Sequence, residues 1–291
     1  MNRGWSFLAL LACCAPVGLA RGAAAPRPQA KLKTNFTFVV YGDTRGGYAV
    51  HRAIVADIVK LHPVLVLQTG DLVADGRSAR LWRIYDQIVA PLHQNHILVY
   101  PARGNHDLGG NGYEEHVTDP FTSGTKLHYS LDYGNCHFVS LDSFEKYGAG
   151  SPQYKWLESD LAAADKASQH IFVFFHVSSW SVGLHGDSLP AQKWLDPLFE
   201  KYHVRAVFSG HDHIYYRTVR NGITYVVTGG GGAPLYPVDA GKGEITGDVA
   251  ESVHNYVVCK VRGNVIVVTA YRLDGSVLDD FTLHAPGTIG Y

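Results

Sequence analysis

From Phe36 to Phe208, short apolar runs alternate with stretches of helical periodicity, and this alternation restricts the fold more than any other feature of the chain. Phe36–Tyr41, Val64–Leu67, Ile97–Tyr100, Ile171–Phe175 and Ala206–Phe208 read as core strands. Helices are expected around Ala49–Leu61, from an N-cap at Ser78 to about His93, from Ser151-Pro152 to about Ala167, and from Pro190 to Tyr202. Leu127–Tyr133 and Cys136–Leu141 form a hairpin about Gly134-Asn135. Beyond Phe208 the character changes. Tyr215–Arg220 pairs with Ile223–Thr228 about Asn221-Gly222, Tyr256–Val261 pairs with Val265–Tyr271 about Gly263-Asn264, and Val277–Leu283 follows. No linker separates the two parts, so the reading is one α/β domain built on two packed sheets.

At 291 residues the chain can bury one sizeable core, and 46% apolar with 18% charged residues is a globular balance that excludes disorder. A net charge of −1 offers no basic footprint for nucleic acid. Residues 1–20 read as an export signal: Arg3 supplies the positive end, Trp5 to Leu19 the apolar run, and Ala20 a cleavage point. Leu10-Leu11-Ala12-Cys13 also resembles a bacterial lipoprotein signal, in which Cys13 would carry a lipid anchor. Residues 21–33, with Pro26 and Pro28, read as a linker. In an exported protein Cys136 and Cys259 are either a disulfide or two buried free thiols.

The chemistry sits just past the strands. The first is followed by Gly42-Asp43-Thr44-Arg45, the second by Gly70-Asp71 and the third by Gly104-Asn105-His106-Asp107. Ile171–Phe175 runs into His176, and Ala206–Phe208 into Gly210-His211-Asp212-His213. Ligands of α/β sheets bind beyond the carboxyl ends of the strands, so five strands deliver Asp, Asn and His to one edge. Carboxylate, amide and imidazole donors without thiolate suit hard or borderline metal ions, and a carboxylate can bridge two of them.

This ordered set resembles the calcineurin-like metallophosphoesterase superfamily, with its Asp-x-His, Gly-Asp, Gly-Asn-His-Asp, strand-end His and Gly-His-x-His motifs. Gly210 to Arg217 is similar to the purple acid phosphatase branch. The resemblance implies a four-layer α/β/β/α domain over residues 34–291, with the C-terminal third, including His254-Asn255-Tyr256, as its second sheet. It implies two divalent or trivalent ions of iron, manganese or zinc. Asp71 would bridge them, with Asp43 and His213 on the first and Asn105, His176 and His211 on the second. His106 would be the general acid, and Asp107 would orient its ring. The ions would acidify a water that attacks phosphorus, making the protein a phosphomonoesterase or phosphodiesterase.

Two positions depart from the pattern. The superfamily's first-motif His is Arg45 here, which has no lone pair for a metal, and the tyrosine of purple acid phosphatases is Ala74. The first ion is thus one ligand short, to be completed by water or another residue, with Tyr48 and His51 as candidates, and Arg45 is either a phosphate clamp or a surface or salt-bridged residue. His185, in the loop after His176, is a candidate for the substrate pocket. Gly229–Gly232 is a substrate-side loop or a strand-end turn, His254 a site or packing residue, and Asp212 a shaper of its turn. Tyr215, Tyr216 and Trp180 read as core or rim. The other functions open to such a chain are a metal- or phosphate-binding protein weakened by Arg45, and a nuclease, which the neutral charge disfavours.

Overall fold

Five consecutive residues of one strand, Ile171 to Phe175, alternate between two cores, and that alternation explains the layering. The computed structural model describes Met1 and residues 33–118, 120–167, 169–239 and 247–283; the signal, Cys13 and nearly all of the linker lie outside them. The described residues from Lys33 onward belong to one compact unit. Strands β1 (Asn35–Tyr41), β2 (Leu65–Gln68) and β3 (Leu98–Pro101) run parallel, separated by helices α1 (Tyr48–Leu61) and α2 (Ala79–Gln94). A one-turn α3 (Gly112–His116) and a two-residue β4 (Ser123–Gly124), neither expected, precede the hairpin of β5 (Tyr129–Tyr133) and β6 (Cys136–Ser140). Then come α4 (Pro152–Lys166), β7 (His170–Val177), α5 (Leu189–Trp194), α6 (Asp196–Lys201) and β8 (Ala206–Gly210). The remainder is strand: β9 (Tyr215–Arg220), β10 (Ile223–Thr228), β11 (Val249–Glu251), β12 (Asn255–Arg262), β13 (Val265–Arg272) and β14 (Val277–Leu283).

Phe172 and Phe174 of β7 point into the core shared by the two sheets, where α1 and α2 side chains also lie. Ile171, Val173 and Phe175 point into a second core under α4, α5 and α6. Both faces of the strand are covered, as its unbroken apolar run implies. Phe38 of β1 joins the sheets, its ring meeting Phe138, Phe172 and Phe208 edge-on at 5.0, 5.2 and 6.4 Å. Helix α1 buries His51, Ile54, Val55 and Ile58, one stripe at helical spacing. The Ser78 and Ser151 side chains accept from the Leu81 and Tyr154 amides, so both expected N-caps are present.

The architecture is the expected α/β one of two mixed sheets with helices outside, but two local expectations are corrected. The helix from Pro190 breaks at Leu195, because Pro197 has no N–H to give to the turn before it. The C-terminal third is not a separate second sheet. One sheet has the order β14-β13-β12-β1-β2-β3 and the other β11-β9-β10-β8-β7-β6-β5-β4. Strand β12 pairs antiparallel along β1, and β10 pairs parallel with β8, so each sheet's open edge takes up part of the third. Cys136 and Cys259 are buried free thiols, one in each sheet.

Candidate metal centre

The carboxyl ends of β1, β2 and β3 in one sheet meet those of β7 and β8 in the other. The backbone there is held in conformations that ordinary residues avoid. Asp43, Asp71 and His211 have φ of 57°, 53° and 70°, in the left-handed region that is strained for side-chain-bearing residues. Cross-bracing holds them: the Asp43 amide donates to Gly70 O (2.9 Å), the Thr44 amide to Asp71 O (3.1 Å), and the His211 amide to both Asp43 carboxylate oxygens (3.2 and 3.1 Å). Gly104 must be glycine, since a Cβ would lie 2.2 Å from Asp71 Oδ1. The glycine run settles as a close approach behind Asp43, not a substrate loop: the Gly231 amide donates to Gly42 O, and a Gly231 Cβ would meet that oxygen at 2.2 Å. His176 lies inside β7, where the register with β8 shifts between Phe175 and Val177. Such an irregularity re-aims a side chain that a regular strand would misplace.

Donor atoms of Asp43, Asp71 and His176, all three residues buried, lie within 4.8 Å of one another. His176 Nδ1 is 2.9 Å from Thr69 O and must carry the proton in that bond, which leaves Nε2 a bare lone pair. That lone pair faces Asn105 Oδ1 at 3.0 Å, His211 Nδ1 at 3.2 Å and Asp71 Oδ1 at 3.5 Å. An amide oxygen and an unprotonated nitrogen have nothing to share unless a cation accepts both. His213 repeats the pattern: Nδ1 is 2.6 Å from Pro234 O, and Nε2 is 3.5 Å from Asp43 Oδ1. That Nε2 is buried and, among the described residues, without a hydrogen-bond partner. The donor set therefore fits metal ions, with the carbonyls of Thr69 and Pro234 fixing which ring nitrogen is offered. Sequence reasoning missed both carbonyls, and also Tyr236, which stacks on His213 at 4.0 Å.

Electrostatics agree with this fit. Burial pushes His213 down to about 4, and burial with the neighbouring His176 and His185 rings pushes His211 down to about 3, so both are neutral as ligands must be. Burial also lowers His176. Burial and the Asp71 charge hold the Asp43 carboxyl well above its ordinary range. Burial acts to raise Asp71 too, but His176 and the His106 amide outweigh it and hold Asp71 low. Two carboxylates this close and this dry call for a cation between them.

A family model, calcineurin-like phosphoesterase, matches residues 36–215. The chain belongs to that family. It is 29% identical over 220 residues to purple acid phosphatase 18 of Arabidopsis thaliana, covering 66% of this chain and 48% of that protein. It is 27% identical over 268 residues to a nucleotide pyrophosphatase/phosphodiesterase of Hordeum vulgare, covering 76% and 72%. The fold is similar to that of a purple acid phosphatase from yellow lupin, Lupinus luteus, with a TM-score of 0.76 at 20% identity over 88% of this chain and 55% of that one. The chain thus spans about half the length of the first of these relatives and of the lupin structure.

All six expected metal-ligating residues converge, and Arg45 joins them, its Nε donating to Asp71 Oδ2 at 3.0 Å. Asp107 is corrected. It does not touch the His106 ring but turns inward and accepts from the amides of Gly104 (2.8 Å), Leu72 (2.9 Å) and Val73 (3.1 Å). The His106 ring is oriented instead by Ala74 O, 3.0 Å from Nδ1. His51 does not complete the first ion's ligands, because it is buried in the core with Nε2 3.0 Å from the Tyr41 hydroxyl; Tyr48 packs against the same core. His254 bonds Gly230 O and packs under the glycine run. His185 stacks on His211 at 4.0 Å and lines a cavity of about 440 Å³ with Trp180, Tyr216 and Arg220. Asp212 does more than shape a turn: it accepts from Ser181 Oγ (2.5 Å) and the His185 amide (2.8 Å), anchoring the loop that carries His185. Tyr215 is core, its hydroxyl bonded to Asp279.

Proposed function

We propose that the protein is a metal-dependent hydrolase of phosphate esters acting outside the cytoplasm. The observation that carries this reading is the gathering of Asn105, His211 and Asp71 donors around His176 Nε2, with His213 Nε2, buried and unpartnered among the described residues, 3.5 Å from Asp43 beside them. Asn105, His176, His211 and Asp71 would hold one ion, and Asp43, His213 and Asp71 the other. When bound, such ions polarise phosphoryl oxygens and acidify a water. Ala74 O accepts from His106 Nδ1 and orients the ring, and a second proton, on Nε2, would be the one given to the leaving oxygen. Asp107 holds the loop of Asp71 against that of Gly104. The cavity beyond His185 takes the rest of the ester, lined by Trp180, Tyr216 and Arg220, whose guanidinium lies over the Trp180 ring and pairs with Asp248. A nucleotide diester is one substrate of fitting chemistry, and the name of the barley relative supports it.

Export rests on residues 1–20, as a free protein or as one anchored through Cys13, with residues 34–291 as the exported domain. Among the described residues no helix is long and apolar enough to cross a membrane.

Protein loaded with manganese, zinc or iron should hydrolyse nitrophenyl phosphate or bis(nitrophenyl) phosphate, and Asp71→Asn should remove that activity while leaving the fold intact. The ratio of the two rates identifies monoester or diester chemistry. A folded, metal-loaded wild type inert towards both esters would overturn the hydrolase reading.

A further inference from the structure

We propose that Arg45 competes for Asp71 with the ion that Asp43 and His213 would hold, making that ion the second to bind: the protein keeps the ion of Asn105, His176 and His211 tightly and admits the other when a phosphate draws Arg45 away. This rests on the metal-centre reading above and concerns how many ions the site retains. The two oxygens of Asp71 have different company. Oδ1 accepts from the His106 amide at 2.9 Å and lies 3.5 Å from His176 Nε2, on the side of Asn105 and His211. Oδ2 accepts from Arg45 Nε at 3.0 Å. A carboxylate that bridges must offer its second oxygen to the second ion, and here a guanidinium already holds it.

The position of Arg45 is fixed by the fold. Its amide donates to Asp71 O at 3.2 Å, next to the Thr44 amide on the same carbonyl, so the loop after Asp43 delivers residue 45 to Asp71 whatever its side chain. The side chain is 19% exposed and its partner carboxylate 2%, so the pair is mostly shielded from solvent screening. Charge points the same way. Asp43 and Asp71 bring two negative charges, which one divalent ion balances, and the guanidinium adds a permanent positive charge where the second would settle. The protein ligands left to that second ion are Asp43, His213 and the contested oxygen. Arginine binds phosphate oxygens in the same forked manner as it binds carboxylates. A phosphate at the centre therefore offers Arg45 another partner and returns Oδ2 to the second ion.

The test is metal stoichiometry, not turnover. Stripped full-length protein is titrated with manganese by calorimetry, and retained metal is counted by elemental mass spectrometry after dialysis, with and without inorganic phosphate. Wild type should bind a first ion tightly and a second at least about tenfold more weakly. Arg45→His and Arg45→Ala should each tighten the second ion by about tenfold or more and leave the first unchanged. Arg45→Lys, which keeps the charge, should leave it weak. Phosphate should tighten the second ion by more in wild type than in Arg45→Ala. Two ions of equal affinity in wild type, or a second ion indifferent to every substitution in variants that melt like wild type, would overturn the proposal. A folded wild type that binds no ion would overturn the metal-centre reading and this inference with it.

Discussion

Asp107 follows His106 directly, yet their side chains part. The carboxylate turns inward to three amides and the ring turns to Ala74 O. The family resemblance implied a pair; only the turn at residues 105–107 determines that it is not one. Asp107→Ala removes an acceptor from the amides of Leu72, Val73 and Gly104, all buried, at a cost of about 1–3 kcal/mol for each group left unsatisfied. It should therefore lower both stability and metal affinity, as read by denaturant melts and by metal titration. A loss of turnover with metal affinity and stability unchanged would return Asp107 to the role of orienting His106. The six proposed ligands were legible because Asp43, Asp71, Asn105, His176, His211 and His213 carry their chemistry in their side chains and follow apolar runs. The carbonyls that set their tautomers, Thr69 and Pro234, carry no such mark, since every residue has one.

Between β5, β6 and α4, the His137 ring bonds Asp132 Oδ1 through Nδ1 (2.7 Å) and Asp160 Oδ2 through Nε2 (2.9 Å). Burial pulls its pKa down, but the two carboxylates prevail and raise it to about 9. A folded pKa above the unfolded value near 6.5 means that its contribution is whole below about pH 6.5 and is lost as pH rises through 9. Over that window stability should fall by on the order of 2–3 kcal/mol. His137→Gln should flatten the slope; an unchanged slope in urea melts at pH 6 and 9.5 would contradict the argument. At this scale the sequence showed most elements, because buried stripes, caps and Asn-Gly turns are local signals. Asn221-Gly222 turns β9 into β10 with φ of 51° and 81°, as its dipeptide suggests. Pro197 was legible too, and its helix break was missed because the apolar pattern runs through it. The irregularity that aims His176 depends on the pairing of β7 with β8, which no local pattern contains.

Across the molecule, the centre exists because two sheets end at the same edge. Phe38 locks them together from β1, and the strands that supply Asp43, Asp71 and Asn105 belong to one sheet while those that supply His176 and His211 belong to the other. The sequence implied one edge and two sheets, but not that the ligands divide between them. That division depends on β1 pairing with β2 and β3 while β7 pairs with β8, with β12 closing the edge of β1 from about 220 residues away in the chain. A site shared by two sheets should couple metal binding to the whole fold. The most direct measurement is phosphoester hydrolysis by full-length protein stripped with a chelator and then titrated with manganese, zinc or iron. Melting temperature is followed on the same samples. Stripping should abolish hydrolysis, at least one metal should restore it, and the melting temperature should rise as activity returns. Hydrolysis that survives complete removal of metal from the folded protein would contradict the metal-dependent reading.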